Sequence, residues 1–83
     1  MDIHSEVLTI LDDVLGLGGR GHSFTRETAL LGAVPELDSM AVVGLITSME
    51  ERFGFIVEDG EIDGSAFATV GSLADFVRGK LGG

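Results

Sequence analysis

Residues 35–54 read Pro35-Glu36-Leu37-Asp38-Ser39-Met40-Ala41-Val42-Val43-Gly44-Leu45-Ile46-Thr47-Ser48-Met49-Glu50-Glu51-Arg52-Phe53-Gly54, and this stretch decides the fold. Val42, Leu45, Ile46, Met49 and Phe53 recur at the helical period and predict one buried stripe. Pro35 marks the loop before it. Asp38 or Ser39 starts the helix, and Gly54 supplies a natural stop just past Phe53. Met40, Val43, Gly44 and Thr47 are expected on the other faces, so the first two turns carry almost no charge. The serine hydroxyl of Ser39 therefore sits at a helix mouth, where free N–H groups and the positive end of the dipole suit an anion. No base lies nearby in sequence to make it a nucleophile in its own right. It reads as a place where another enzyme attaches a group, against the plainer reading of an N-cap.

Working outward, Ile3, Val7, Ile10, Leu11, Val14 and Leu15 predict a first amphipathic helix over residues 2–15, with Asp2 and Glu6 suited to its N-terminus. Four glycines between Gly16 and Gly21 end it. A long connection, about 17–37, follows, with Phe24, Ala29, Leu30, Leu31 and Val34 expected to pin it to the core. Phe55, Ile56 and Val57 have no second strand to pair with and read as a packed loop. Residues 58–64 are acidic and turn-prone, and a short helix is expected at about 62–67. Thr69 can cap a last helix running to about Leu81 on Val70, Leu73, Phe76 or Val77, and Leu81. The expectation is an all-α four-helix bundle of three long helices and one short, with a long first loop, forming one domain over residues 1–83.

Bulk properties narrow the class. At 83 residues and 45% hydrophobic content there is one core's worth of apolar surface and no compositional sign of disorder. The absence of cysteine excludes disulfides and thiolate metal sites. No apolar run is long enough to span a membrane and no basic leader precedes one, so a soluble cytoplasmic protein is expected. The net charge is −9, and from Glu36 to Asp75 nine acids face a single base, Arg52. That field repels nucleic acid and attracts basic protein surfaces.

Three other patterns carry no chemistry. Gly16 to Gly21 match G-x-G-x-x-G, but a helix precedes them where a dinucleotide site needs a strand. Asp59 to Gly64 resemble half an EF-hand loop, yet position 12 is Val70 in place of a bidentate carboxylate, so no metal site is expected. His4 and His22 have no partners that would make them catalytic or metal-binding. No enzymatic activity is expected.

Glu36-Leu37-Asp38-Ser39-Met40, Met49-Glu50-Glu51-Arg52-Phe53 and Phe67-Ala68-Thr69-Val70-Gly71-Ser72-Leu73 with Phe76-Val77 together resemble the acyl carrier protein family. The resemblance covers most of the chain. It implies that Ser39 receives 4′-phosphopantetheine from coenzyme A through a phosphopantetheinyl transferase and its divalent metal. The arm then carries an acyl thioester among a loading ligase or synthase, acyltransferases and other acyl-processing enzymes. Asp38 is implied in transferase recognition, and Met40, Val43, Glu50 and Glu51 in partner binding. The expected carrier is a monomer. One departure stands out: fatty-acid-synthesis carriers have carboxylates in the first two turns after the serine, and here the acids begin at Glu50. The wording around Leu30-Leu31-Gly32 and Asp38-Ser39-Met40 looks most like stand-alone carriers of exosortase and exopolysaccharide systems. A peptidyl or aminoacyl carrier, and an unmodified acidic helical adaptor for a basic partner, are the alternatives; a weakly calcium-responsive domain ranks behind them.

Overall fold

The structure is a computed structural model that describes residues 2–58, 60–62 and 64–82. Three α-helices carry it: α1 (Ile3–Leu15), α2 (Ser39–Phe53) and α3 (Val70–Lys80). Two single-turn 3₁₀ helices, Arg20–Ser23 and Gly64–Phe67, lie in the connections. Among the described residues there is no strand, and a lone antiparallel bridge joins Ala29 to Thr69.

Each helix begins where its cap residue stands. Asp2 accepts the Ser5 N–H at 3.3 Å, and Thr69 and Ser72 exchange side-chain and backbone bonds as a capping box. α1 and α2 end on Gly16 (φ 64°) and Gly54 (φ 77°), left-handed positions that cost a glycine nothing. α1 packs against both other helices. Its Val7, Leu8, Ile10, Leu11 and Leu15 meet Leu45 and Met49 of α2 and Val70, Leu73, Ala74 and Val77 of α3. Burying each of these valine, leucine, isoleucine and methionine side chains is worth about 1.5–3 kcal/mol before the ordering entropy is subtracted.

The long connection is held by bonds that its composition did not announce. Asp12 Oδ1 accepts the N–H groups of Gly19 (2.8 Å) and Gly21 (3.0 Å), folding the glycine run back onto α1. A Cβ at Gly21 would lie 3.0 Å from Asp12 Cβ, so any larger residue would have to push the loop off α1. Farther on, Leu30 and Leu31 donate to the carbonyls of Ala68 and Phe67, and Val70 and Gly71 donate to those of Thr28 and Arg26.

Several expectations are corrected here. Leu30 is fully buried, but Leu31 is 48% exposed and Ala29 is exposed, because their backbone groups make the contact with residues 67–69. Gly44 does not point away from the body of the protein: a Cβ there would lie 3.3 Å from Val14 Cγ1, at the approach of α1 and α2. In α3 the choice between Phe76 and Val77 falls to Val77, while Leu81 lies past the helix end and is exposed. Where a short helix is expected, residues 64–67 make a four-residue 3₁₀ turn. A segment that short cannot repay the nucleation of an α-helix, and Gly64 at its start is a weak helix former. Residues 55–57 are irregular, as expected, but of the three only Phe55 packs against the core, and Ile56 is 68% exposed.

Candidate functional site

Asp38 is the N-cap of α2, in extended backbone, and its Oδ1 accepts the Ala41 N–H at 2.9 Å. Its carbonyl accepts from Val42 at 3.0 Å. Ser39 is thus the first helical residue and is exposed. Among the described residues no group bonds its hydroxyl. Helix geometry leaves the N–H groups of Ser39 and Met40 without intrahelical acceptors, so the site offers donors and a positive dipole end to an anion.

The approach to Asp38 is fixed from both sides. Leu37 is buried in the core and donates its N–H to the Val34 carbonyl. One residue earlier, Glu36 Oε2 takes the Arg20 guanidinium at 2.7 Å, and Arg20 Nε also bonds the Leu17 carbonyl. That hydrogen bond from Arg20 holds the Glu36 carboxyl below its ordinary range. Sequence reading missed Arg20. Its only signal was a lone base in a glycine-rich loop, which does not say where the loop leads.

Beyond Ser39, the outward face of α2 carries Met40 (80% exposed), Val43 (62% exposed), Thr47 and Glu51. Their spacing of three to four residues lines them along one side of the helix. Glu50 does not join them. Its Oε2 accepts the Val57 N–H at 2.7 Å, so the carboxylate ties down the segment after α2. Of the expected partner-binding residues, Met40, Val43 and Glu51 therefore share a face with the Ser39 end, and Glu50 is turned to an internal task.

The acidic turn is also engaged internally. Glu61 pairs with Lys80, which holds its carboxyl below the ordinary range, and Glu61 Oε1 accepts the Glu58 N–H. Asp59 and Asp63 of the EF-hand-like stretch lie outside the described residues. Among the described residues no group of three or more His, Asp or Glu side chains could hold a metal ion. His4 lies in the first turn of α1 and His22 in the Arg20–Ser23 turn, neither bonded to Ser39. Among the described residues no helix is long and apolar enough to cross a membrane.

With this geometry in place, comparison with known proteins is decisive. The family model described as a phosphopantetheine attachment site matches residues 5–77. The acyl carrier protein of Thermotoga maritima is 30% identical over 81 residues, covering 98% of this chain and 94% of that protein. The chain belongs to the acyl carrier protein family. A solution NMR structure of a holo acyl carrier protein from Nitrosomonas europaea superposes with a TM-score of 0.91 at 53% identity, each chain covered completely. An acyl carrier protein is a carrier and not an enzyme. Its covalently attached 4′-phosphopantetheine supplies the thiol on which an acyl group is held as a thioester. The α2 N-terminus fits the phosphodiester of that group: an exposed, unbonded hydroxyl, two N–H donors and a favourable dipole converge there.

Proposed function

We propose that Ser39 is the residue on which this acyl carrier protein holds its 4′-phosphopantetheine, with residues 1–83 acting as one carrier domain. The observation that carries the reading is the free Ser39 hydroxyl at the first turn of α2, beside a capping carboxylate. Asp38 keeps Ser39 at the helix mouth through Oδ1, while Oδ2 makes no bond among the described residues. That outward oxygen is the contact for the phosphopantetheinyl transferase or its divalent metal. Ser39 and Met40 donate their N–H groups towards the phosphodiester, and Met40, Val43 and Glu51 meet the acyl-processing enzymes. In this reading the turn Gly64–Phe67 serves as the short fourth helical element of the bundle, and the carrier works as a cytoplasmic monomer.

The apolar first turns of α2 support service outside housekeeping fatty acid synthesis, in a stand-alone system of the exopolysaccharide kind. Docking there relies on surface match at Met40 and Val43, since methionine adapts to differing apolar partners. Co-expression with a broad-specificity transferase should add one phosphopantetheine to the intact mass, and Ser39→Ala should abolish the addition. A wild-type chain left unmodified by several transferases would overturn the assignment of Ser39.

A further inference from the structure

Met40 is the most exposed large apolar side chain among the described residues: 80% of it meets solvent, whereas Met49, on the same helix, is 0% exposed. The two thioethers therefore differ in chemistry. A methionine sulfur attacks one oxygen of hydrogen peroxide. The S–O bond forms as the O–O bond breaks, the sulfur is oxidised to a sulfoxide, and the peroxide is reduced to water. Susceptibility follows access of the oxidant to the sulfur, which favours Met40. Hydrogen peroxide is uncharged, so the net charge of −9 does not repel it.

Oxidation at the two positions has different consequences. Little of the Met40 side chain packs against the fold, so its sulfoxide leaves the core and α2 intact. What changes is the outward face, where Met40 and Val43 are exposed and no charged residue lies between Ser39 and Met49. The S=O dipole holds water that an apolar partner must strip away. At Met49 the same group would be buried without a partner, so that sulfur reacts from the unfolded chain.

We propose that Met40 is an oxidation switch: peroxide converts it to the sulfoxide ahead of Met49, and the sulfoxide weakens docking of the phosphopantetheinyl transferase until it is reduced. Reduction by methionine sulfoxide reductases consumes two thiols and yields the thioether, a disulfide and water. This rests on Ser39 as the attachment residue and on Met40 as part of the docking face.

The test treats the full apo chain with limiting hydrogen peroxide, removes the oxidant, and locates added oxygen by peptide mass spectrometry. Met40 should react at least roughly ten-fold faster than Met49, and urea should erase that difference. The Met40 sulfoxide should melt within about 2 °C of the untreated chain. Its KM in transferase-catalysed modification should rise roughly five-fold with kcat unchanged, and reductases with dithiothreitol should restore it. Met40→Leu, whatever its own KM, should give the same KM before and after peroxide. Equal reaction of Met49 in the folded chain overturns the switch. So does an unchanged KM in the Met40 sulfoxide, or an equal rise in treated Met40→Leu, while modification of the untreated chain leaves Ser39 in place. If the untreated chain is not modified at all, the Ser39 assignment fails, and the switch is judged by calorimetric titration with the transferase. Weaker binding of the Met40 sulfoxide supports it; equal binding of both forms, or binding of neither, overturns it.

Discussion

Asp38 caps α2, its Oδ1 satisfying the Ala41 N–H at 2.9 Å, and the proposed function gives its charge a second task towards the transferase, which substitution can separate from the first. Asp38→Ala removes both. Loss of an N-cap side chain costs about 1 kcal/mol, because the freed N–H falls back on water and the first turn frays. For a domain of this size that lowers the melting temperature by about 4–8 °C. Asp38→Asn places a carbonyl oxygen in the same position, and asparagine caps as well as aspartate, so its melting temperature should stay within about 2 °C of wild type. The two variants are compared by thermal melts followed at 222 nm and by initial rates of phosphopantetheine addition, read from intact mass. If the carboxylate charge recruits the transferase or its metal, Asp38→Asn remains folded while its kcat/KM falls roughly ten-fold, the effect of losing one charge-assisted contact. A folded Asp38→Asn modified at the wild-type rate refutes the charge role. An Asp38→Ala variant that melts with the wild type refutes the cap argument.

Two glycines of α3 should respond oppositely to the same change. Gly79→Ala meets open space and should stabilise by up to about 1 kcal/mol, whereas at Gly71 a Cβ would lie 3.0 Å from the Arg26 carbonyl that its own N–H bonds. Gly71→Ala should therefore destabilise by about 1–2 kcal/mol in urea melts, overpacking outweighing the gain in helix propensity. Glu50→Ala strands the Val57 N–H and should cost about 1 kcal/mol in the same melts while leaving the transferase KM unchanged. Arg20 lowers the Glu36 carboxyl pKa in the folded state, so the pair's contribution is complete above the ordinary glutamate value and is lost as pH falls through the depressed one. The melting temperatures of wild type and Arg20→Gln should thus differ at about pH 6 and converge as the pH is taken below the ordinary glutamate range.

What the sequence made legible follows from what periodicity encodes. The stripes of α1, α2 and α3 were readable because each helix buries one face, and the caps Asp2, Asp38 and Thr69 because capping is local. The place of Ser39 in the first turn of α2 was readable for the same reason, since its cap Asp38 and the Ala41 and Val42 N–H groups that Asp38 accepts lie within three residues of it. Periodicity gives directions within one helix and nothing about its neighbour. Gly44 was therefore placed on an outer face, although it sits against Val14. That approach belongs to the crossing of α1 and α2, which no window along the chain contains. The Asp12 bonds to Gly19 and Gly21 and the Arg20–Glu36 pair join residues seven to sixteen apart through an irregular loop, where no repeat marks a partner.

The acidic half of the chain acts differently at long and at short range. Asp38 caps α2, Glu36, Glu61 and Asp75 pair with Arg20, Lys80 and Arg26, and Glu50 holds the Val57 N–H. Engagement of this kind leaves the net charge of −9 untouched, so an approaching basic enzyme still feels an attractive field. It does occupy the carboxylates of Glu36, Glu50, Glu61 and Asp75, whereas Asp38 caps with Oδ1 alone. In the proposed function the surface met at the end of the approach is Met40 and Val43, both exposed, with the exposed Glu51 at its far edge. Association should then depend on ionic strength, while the lifetime of the complex depends on apolar fit and on that one end of α2. A carrier with acids in its first turns would place charge in both steps. If Met40 and Val43 form the docking face, this one separates them, so that any enzyme with a basic surface should be attracted and one with an apolar counterpart to Met40 and Val43 retained.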